Sequence, residues 1–364
     1  MELTKCKLGE LITQRREKND GSDLPICGVS KDGLIPPKQK DADTSIYNVF
    51  YRDDFIFNPA RMELNSIAIN DMYDRAICSS LYEVFYVHRT DLLLPHYLEL
   101  IIRQKWFTRY CKFLGQGSAR EYCRFGNISE IEIEFPPIEE QQKIVEYNTA
   151  IENRIALKQK INDNLEAQAN AIFSSSAPDF TDLQPIHNFG TVITGKTPPT
   201  SVAEYYGNDI PFIKTPDMHG NVYITSSECS LSKAGADSQK NKYIPENTVV
   251  VACIGANAGE VALTSYIAQT NQQINAVISK YPCFLYFSIK AHTAELRTLG
   301  EGSSTMININ KTSFENYEIP TPSDNTLQQL EHKLNIIFSA ILHNLQEIDR
   351  LNETKDLLVT QLSR

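Results

Sequence analysis

Residues 131–144 read IEIEFPPIEEQQKI, a short apolar stretch that ends in two prolines and passes into an acidic, glutamine-rich segment. After the prolines, apolar side chains recur at spacings near three, four and seven: Ile144, Ile151, Ile155, Ile161, Leu165, Ala169 and Ile172. This spacing places apolar side chains on one face of a helix. The stretch therefore predicts a long helix of about 38 residues, roughly 57 Å at 1.5 Å per residue.

A second segment of this kind ends the chain. Residues 320–329 read PTPSDNTLQQ, and a similar apolar pattern follows without an internal Gly or Pro: Leu327, Leu330, Leu334, Ile337, Ile341, Leu345, Ile348, Leu351, Leu358 and Leu362. A helix with one long apolar stripe must bury it, either on its own domain or on another helix. The length of the stripes, and the presence of two, favour the helices packing on each other as an antiparallel pair.

The two helical patterns belong to an internal repeat, the feature that decides the architecture. Four short motifs occur twice in the same order: LGELIT at 8–13 and FGTVIT at 189–194, LGQGS at 114–118 and LGEGS at 299–303, FPP at 135–137 and PTP at 320–322, and QQ at 141–142 and 328–329. Between these motifs the halves differ almost completely. The order predicts two related units, each followed by its own helix, at opposite ends of the helix pair and related by an approximate twofold axis.

The units between the motifs have mixed secondary structure. Segments rich in β-branched or aromatic residues predict strands at Phe55–Asn58, Thr248–Ile254, Val261–Thr264 and Asn271–Ser279. Helices are predicted in matching places, at Tyr97–Tyr110 and Phe284–Arg297. The predicted fold class is α+β, with two pseudo-twofold-related mixed α/β globular domains separated by two long antiparallel coiled-coil helices.

Composition and charge limit the possible functions. With 364 residues, 41% hydrophobic and 22% charged, the chain is long enough for at least two domains. Neither a leader sequence nor a membrane-spanning stretch is evident. The eight cysteines include no Cys-x-x-Cys pair, so we expect no metal and a reduced, cytoplasmic protein.

The net charge of −10 counts against nucleic-acid binding, because phosphate neutralisation requires cations on the binding face. That objection weakens if the acidic residues lie elsewhere. Two acid-rich stretches, 138–168 and 331–356, are predicted to be surface helices rather than a binding face.

The chain resembles the specificity subunit of type I restriction-modification enzymes over essentially its whole length. The resemblance starts from Ile131, Ile133 and the proline pair, with the Gln-Gln helix start and the long helix after them. In the second half, residues 210–217 (IPFIKTPD), 242–245 (KYIP), 249–251 (VVV), 255–259 (GANAG) and 270–273 (TNQQ) resemble the target-recognition domain of that family. Residues 51–58 (YRDDFIFN), Arg61 and 79–82 (SSLY) in the first half resemble another variant of this domain.

The resemblance implies a non-catalytic DNA-binding subunit without cofactors. Residues 1–137 and 178–322 would be two target-recognition domains, each contacting one half of a bipartite double-stranded target. The helices at 138–177 and 323–364 would set the spacing and bind two methyltransferase subunits, which restriction (motor and nuclease) subunits can join. The residues expected at the helix interface are apolar: Ile144, Ile151, Ile155, Leu165, Ile172, Leu334, Ile341, Leu345 and Ile348.

The candidate DNA-binding residues are amides, hydroxyls and cations at turns and strand ends, because amides can pair with adenine edges and cations with phosphates or guanine. They are Arg15, Asn58, Arg61, Ser118, Arg120, Lys196, Lys214, Asn257, Asn271, Gln272, Gln273, Ser303, Ser304 and Thr305. Each also has a simpler interpretation. Lys196 could be a solvated lysine, Arg61 a member of a buried ion pair, and exposed amides at strand ends are common.

Two other functions compete with DNA recognition. Residues 190–197 (GTVITGKT) satisfy the Walker A pattern of P-loop nucleotidases. That motif needs a helix beginning at its lysine, which Pro198 and Pro199 would disrupt. No adenine-methyltransferase motif or catalytic histidine arrangement is evident, so we expect no catalytic residues. The second alternative is a coiled-coil adaptor that binds only proteins.

Overall fold

The structure, a computed structural model, describes residues 3–31, 33–37, 43–115, 122–220, 222–301 and 307–361. Two compact units make up the chain. The first comprises Met1–Asn153 and Asn352–Arg364, and the second comprises Arg154–Leu351. Each unit combines helices with β-sheets, so the predicted α+β class is confirmed.

The described residues of the first unit form ten strands: β1 (Thr4–Lys7), β2 (Ile12–Arg15), β3 (Ile26–Ser30), β4 (Gly33–Ile35), β5 (Asn48–Tyr51), β6 (Phe55–Phe57), β7 (Ile67–Ile69), β8 (Arg75–Cys78), β9 (Glu83–Val87) and β10 (Glu132–Phe135). Its helices are α1 (Pro95–Ile102), α2 (Lys105–Gly115), α3 (Phe125–Ser129) and the beginning of α4 (Ile138–Ser176), together with the end of the last helix of the chain. Four strands form an antiparallel main sheet in the order β2-β9-β6-β7. A second sheet has the order β4-β3-β8-β5, with β3 and β8 parallel.

The core of the first unit lies between the main sheet and helices α1 and α2. Phe55 and Phe85 stack across neighbouring strands with ring centroids 4.9 Å apart. Tyr97 of α1 and Phe107 of α2 are buried in the same cluster. Alternating apolar residues on short strands thus give the sheet one face that the helices cover.

The second unit repeats this plan with β11 (Asp182–Pro185), β12 (Gly190–Thr194), β13 (Tyr206–Ile213), β14 (Tyr223–Ile224), β15 (Cys229–Leu231), β16 (Val249–Ala252), β17 (Val261–Thr264), β18 (Gln269–Thr270), β19 (Ile274–Ser279) and β20 (Glu318–Thr321). Its helices are the rest of α4, α5 (Lys233–Asp237), α6 (Pro282–Ala291), α7 (Thr293–Leu299), α8 (Lys311–Glu315) and most of α9 (Asp324–Gln361). The main sheet has the order β12-β19-β16-β17-β14. The smaller sheet has the order β15-β13-β18, with β13 and β18 parallel.

The core of the second unit centres on Phe284 of α6. Its ring lies 5.6 to 6.1 Å from those of Phe173, Phe180 and Phe189. Phe338 of α9 is buried in the same cluster. The long helices are therefore part of the core of this unit.

The two predicted long helices are present, with 39 residues in α4 and 38 in α9. At the start of α4, the backbone N–H groups of Glu140 and Gln141 donate to the Pro137 carbonyl. The first turn of α9 is closed by Ser323, whose carbonyl accepts from Leu327 N at 2.8 Å. Carboxylates in both first turns favour helix formation through the helix dipole.

Within the second unit, α4 and α9 run antiparallel and pack on each other. Lys158 Nζ lies 2.7 Å from Glu347 Oε2, and Asn344 Nδ2 donates to Asn162 Oδ1 at 2.8 Å. In the same unit, α9 also packs on its own globular core through Phe338. Both packing modes that the sequence allowed therefore occur together.

The pairing of the strands corrects the register of the repeat. Lys7 pairs with Glu132 in the first unit as Pro185 pairs with Glu318 in the second. The short 3-10 helices that follow are Leu8–Glu10 and Ile186–Asn188, so Leu8 corresponds to Ile186 rather than to Phe189. The order of the motifs is right, but the alignment is wrong by three residues at the first of them. It is also wrong by one residue at the proline and Gln-Gln motifs, because Phe135 corresponds to Thr321.

The bounds of several predicted elements also change. The helices predicted at Tyr97–Tyr110 and Phe284–Arg297 are each two helices, α1 with α2 and α6 with α7. The predicted strand Asn271–Ser279 begins only at Ile274 because the first three residues form a turn. The other predicted strands shorten to β6 and β16, while Val261–Thr264 is β17 as predicted.

Candidate nucleic-acid interface

In the first unit, the ends of four strands meet along one edge of the main sheet. Arg15 at the end of β2 pairs with Val84 at the start of β9. Phe57 at the end of β6 pairs with Glu83 in β9 and with Ile67 in β7. The connection 58–66 and the turn 79–82 therefore lie at this edge, which we call the first loop edge.

The second unit has the same arrangement. Thr194 at the end of β12 pairs with Asn275 of β19, and Ala252 at the end of β16 pairs with Ile274. The connection 253–260 and the turn 271–273 occupy the places of 58–66 and 79–82, and together they form the second loop edge. The candidates Asn58 and Arg61 thus lie on the same connection of the fold as Asn257, although nothing in their sequences is alike.

The chain returns to each loop edge after the helices. In the first unit, Cys123 N donates to the Pro59 carbonyl at 3.0 Å. In the second, Gly255 N donates to Ile307 O at 3.0 Å, and Ile309 N donates to Cys253 O at 2.8 Å. The candidates Ser118, Arg120, Ser303, Ser304 and Thr305 lie outside the described residues, between these returns and the helices α2 and α7.

Arg61 is an exposed cation on the first loop edge. Its backbone is fixed, because Arg61 N donates to Asn58 O and Arg61 O accepts from Ser66 N. The side chain has no hydrogen bond or ion pair with any residue that the structure describes, so the buried ion pair that the sequence allowed is not formed. Asn58 acts as an N-cap, since its Oδ1 accepts from Ala60 N at 3.1 Å.

Arg15 differs from Arg61 because its guanidinium is held in place. Arg15 Nε and Nη2 donate to the two carboxylate oxygens of Asp54 at 2.6 and 3.0 Å. The guanidinium also lies 4.7 Å from the ring centre of Tyr51 and 4.6 Å from that of Tyr86. Burial raises the pKa of Asp54 despite this pairing. These contacts give Arg15 a structural role in the sheet, and a contact of Arg15 with DNA stays a prediction.

Lys196 is exposed immediately after β12, on a fixed backbone. Lys196 N donates to Thr270 O at 2.9 Å, and its carbonyl accepts from Gln239 Nε2. A side chain at Gly195 would come within 2.1 Å of the Asn271 carbonyl, which explains the glycine. Because a strand and an irregular segment occupy residues 190–199, the helix that a P-loop requires after Lys196 is absent from these described residues.

The four amides of the second loop edge have different roles. Asn271 is buried, and its Oδ1 accepts from Gln273 N while its Nδ2 donates to Gln273 Oε1, so these two residues stabilise the turn. Gln272 is exposed, and its Oε1 accepts from Thr197 Oγ1 at 2.6 Å. That bond leaves the amide N–H groups of Gln272 available as donors. Asn257 is half-buried and bonds to the His219 ring.

The connection that carries Asn257 is clamped from α7. Arg297 Nη1 donates to the carbonyls of Ala256 and Ala258, both at 2.8 Å, and Thr293 Oγ1 donates to Gly259 O at 3.1 Å. These bonds hold both neighbours of Asn257. Nothing in the sequence singles out Arg297, because its position opposite the connection depends on the packing of α7.

Lys214 follows β13, beside the turn 271–273, since Asn271 N donates to Ile213 O. Its Nζ lies 2.9 Å from Cys229 Sγ, and this hydrogen bond raises the pKa of Lys214. Lys214 is therefore charged at neutral pH and lies close to the second loop edge.

A cleft of about 1010 Å³ opens at the first loop edge. Lys31 and Arg124 line it together with Arg61, and neither was among the candidates from the sequence. Arg124 lies over the Tyr122 ring at 5.4 Å and pairs with Glu83 at 3.4 Å. The aromatic-cation pair Tyr122 and Arg124 is the one sequence signal that could have indicated this site.

The candidates on the long helices fall into three groups. Ile144 is buried in the core of the first unit. Five belong to the core of the second unit: Leu165, Ile172, Leu334, Ile341 and Leu345. Ile151 and Ile155 are half-buried, and Ile348 is buried.

A family model described as the type I restriction modification DNA specificity domain matches residues 6–167 and again residues 183–356. The chain belongs to this family. This type I specificity subunit is accordingly a DNA-recognition component and not a catalytic one. Neither the P-loop nor the purely protein-binding alternative has support from these matches.

Two curated relatives have the same description. The specificity subunit is 30% identical over 355 residues to the type I restriction enzyme HindI specificity subunit of Haemophilus influenzae, covering 75% of this chain and 77% of that protein. It is 27% identical over 182 residues to the MjaIX specificity subunit of Methanocaldococcus jannaschii, covering 48% of this chain and 42% of that one. The crystal structure of the S subunit from M. genitalium has the same fold, with a TM-score of 0.63 at 12% identity, over 99% of this chain and 96% of that chain.

Within the described ranges, no group of three or more His, Cys, Asp or Glu side chains is placed to hold a metal ion. No helix in the part of the chain that the structure describes is long and apolar enough to cross a membrane.

Proposed function

We propose that this specificity subunit recognises a bipartite double-stranded DNA target, and that each unit contacts one half through its loop edge. The observation that carries the proposal is the equivalence of the two edges: in each unit the same two connections meet at the same end of the main sheet. A fixed scaffold with variable connections suits recognition of two different short sequences. The target-recognition domains would span residues 1–137 and 178–322.

The distribution of charge supports the proposal despite the net charge of −10. Helix α4 carries six carboxylates against four cations, and α9 six against three, so the helices account for half of the net charge. On the loop edges, by contrast, Arg61, Lys196 and Lys214 are cations. DNA would meet these cations rather than the acidic helices.

The long helices would set the distance between the two half-sites. We propose that they also bind two methyltransferase subunits. Both helices expose apolar side chains that a partner could cover: Tyr147, Leu157, Ile161, Ile336 and Leu357. Restriction subunits would join this complex, which we place in the cytoplasm.

Methylation mapping tests the proposal. The chain is co-expressed with its methyltransferase subunit, and methylated bases are located across a genome. We expect one split motif, of which only one half changes when residues 178–322 are replaced by those of another specificity subunit. If the complex assembles but no motif appears, the chain is a protein-binding adaptor and the proposal is wrong.

A further inference from the structure

The cleft at the first loop edge combines cations with exposed apolar side chains. Leu64 and Leu81 line it and are 59% and 79% exposed. A single exposed leucine needs no explanation, but two do when they lie beside an arginine that has no partner among the described residues. Exposed leucines would not strengthen a surface that binds only phosphates. They can contact base edges in the major groove, which offer the apolar methyl group of thymine.

The charged side chains of the cleft differ in whether they already have hydrogen-bond or ion-pair partners. Glu83 accepts from Phe125 N at 2.8 Å, from Gln14 Nε2 at 3.2 Å and from Arg124 at 3.4 Å, so its charge is largely satisfied. Arg124 is engaged by Glu83 and stacked on Tyr122. Arg61 is the guanidinium whose donors, within the described residues, remain available to a ligand.

Arg61 has a non-helical backbone conformation inside a short helix. Arg61 interrupts the 3-10 helix Pro59–Leu64 with φ −139° and ψ 26°, and Asn65 at the end of this helix has φ 54°. Bonds to Asn58 and Ser66 fix this kink independently of the side chain. The backbone around Arg61 therefore does not have to be ordered on binding, and the loss of freedom is confined to the rotamers of the side chain. A fixed starting point for the side chain favours a specific contact over a diffuse one.

We propose that Arg61 determines specificity in the half-site that the first unit contacts, by donating two hydrogen bonds to O6 and N7 of a guanine. Leu81 and Leu64 flank this base in the groove, and Lys31 and Arg124 lie at the rim of the cleft. The inference rests on the proposed function and adds to it the residue and the base.

The test compares binding of duplexes by the complete complex with its methyltransferase subunits. Each position of the mapped half-site is replaced in turn by the other three base pairs, and affinities are measured at one fixed salt concentration. With Arg61→Ala, we expect one G·C position of the half-site to lose its preference for guanine by roughly 5- to 150-fold, while all other positions are unchanged. Arg61→Lys should restore only part of the preference, because an ammonium lacks the planar fork.

Arg52→Ala is the matched control. Arg52 is also an exposed arginine of the first unit, but it precedes β6 while Arg61 follows it, and it pairs with Asp74 at 3.0 Å. Because β6 separates the two arginines, Arg52 lies at the opposite end of the strand from the loop edge. We expect its loss to leave every base preference unchanged.

Three results would overturn the inference. Arg61→Ala could weaken all duplexes by one factor that Arg61→Lys restores, which would make Arg61 a phosphate contact. The position that relaxes could be an A·T pair, or no position could relax at all. A wild-type complex without any base preference would instead contradict the proposed function itself.

Discussion

The two units fasten their first core helix to the long helix by the same means but with different residues. In the first unit, Gln141 of α4 accepts from Leu94 N at 2.9 Å and donates to the carbonyls of Leu92 and Pro136. In the second, Glu331 of α9 accepts from Cys283 N at 3.1 Å and Phe284 N at 2.8 Å. Both side chains are buried and satisfy backbone groups at the start of α1 or α6.

The corrected register shows that these two residues are not equivalent. Gln141 corresponds to Leu327, and Glu331 corresponds to Val145. We call Gln141 and Glu331 the anchors of their units; they lie one helical turn apart on the same helix face. The fold therefore requires a buried polar group on this face and leaves its position and chemistry open. The loop edges differ in the same way, since one scaffold carries an arginine cleft in the first unit and amides in the second.

The largest effect should come from the central aromatic residue of each core. Phe85→Ala and Phe284→Ala should each lower the free energy of unfolding by about 3 to 5 kcal/mol, because each leaves a cavity among other rings. Amide hydrogen exchange under mild denaturant would locate the loss. We expect it to be confined to the unit that carries the substitution.

Ile336→Ala is the control for this pair, since Ile336 is 61% exposed and its loss should change stability by no more than about 0.5 kcal/mol. If either phenylalanine substitution reduced protection equally in both units, the units would unfold together. The comparison of two independent cores would then be wrong.

Moving the buried polar residue of the first unit to the helix position that it has in the second unit tests whether the two positions are interchangeable. Gln141→Leu should cost about 2 to 3 kcal/mol, because Leu94 N and two carbonyls lose their buried partner. Adding Val145→Glu gives the first unit the anchor position of the second and should recover part of the loss. Thermal unfolding of the single variants and the double variant measures this coupling. A double variant less stable than Gln141→Leu would show that the two anchor positions are not interchangeable.

The acidic anchor makes only the second unit sensitive to pH at this place. Burial raises the pKa of Glu331 above 4.5, and the two backbone hydrogen bonds only partly oppose this. The folded state therefore binds the proton more tightly than the unfolded state. The resulting stabilisation is complete below pH 4.5 and is lost as the pH rises through the raised pKa.

Glu331→Gln should remove this pH dependence. It should lower the free energy of unfolding by less than the substitutions above, because the amide oxygen remains an acceptor for a backbone N–H group. The stability of the wild type relative to this variant should fall as the pH rises from below 4.5 and then level off. Denaturant unfolding across that range measures the difference. A constant difference across the range, or one that grows with pH, would contradict the assigned direction.

The sequence predicted the long helices because their apolar period continues over ten turns without a Gly or Pro. It misaligned the start of the repeat because Gly9 and Gly190 look equivalent but have different roles. A side chain at Gly190 would come within 2.1 Å of the Ile278 carbonyl in the neighbouring strand, whereas one at Gly9 would come within 3.0 Å of Ser129. The shared glycine is a coincidence that only the strand pairing exposes.

The site was predictable in part. The type and turn position of Arg61, Lys196 and Gln272 were visible in the sequence, and the structure leaves their side chains exposed. The sequence could not show that Arg15 forms an ion pair with Asp54, which lies 39 residues away. Nor could it show that Arg297 holds the connection around Asn257 through hydrogen bonds. It also could not show that each shorter predicted helix is broken in two, into α1 and α2 or into α6 and α7. His292, for example, ends α6 without a Gly or Pro.

The smallest effect separates a phosphate contact from a base contact on the second loop edge. We expect Lys196→Ala to weaken binding of the complex to all duplexes by one factor and to reduce the slope of log affinity against log salt by about 0.9. Gln272→Ala, on the turn that leads into the neighbouring strand β19, should instead change the preference among bases in one half-site. Lys311→Ala is the control, because Lys311 lies in α8, which packs near the start of β12 and not its end, and pairs with Glu315. Salt titrations on the duplex panel give both quantities. If Lys196→Ala altered a base preference, the second edge would use a cation as the first edge does, and the contrast between an arginine cleft and an amide edge would fail.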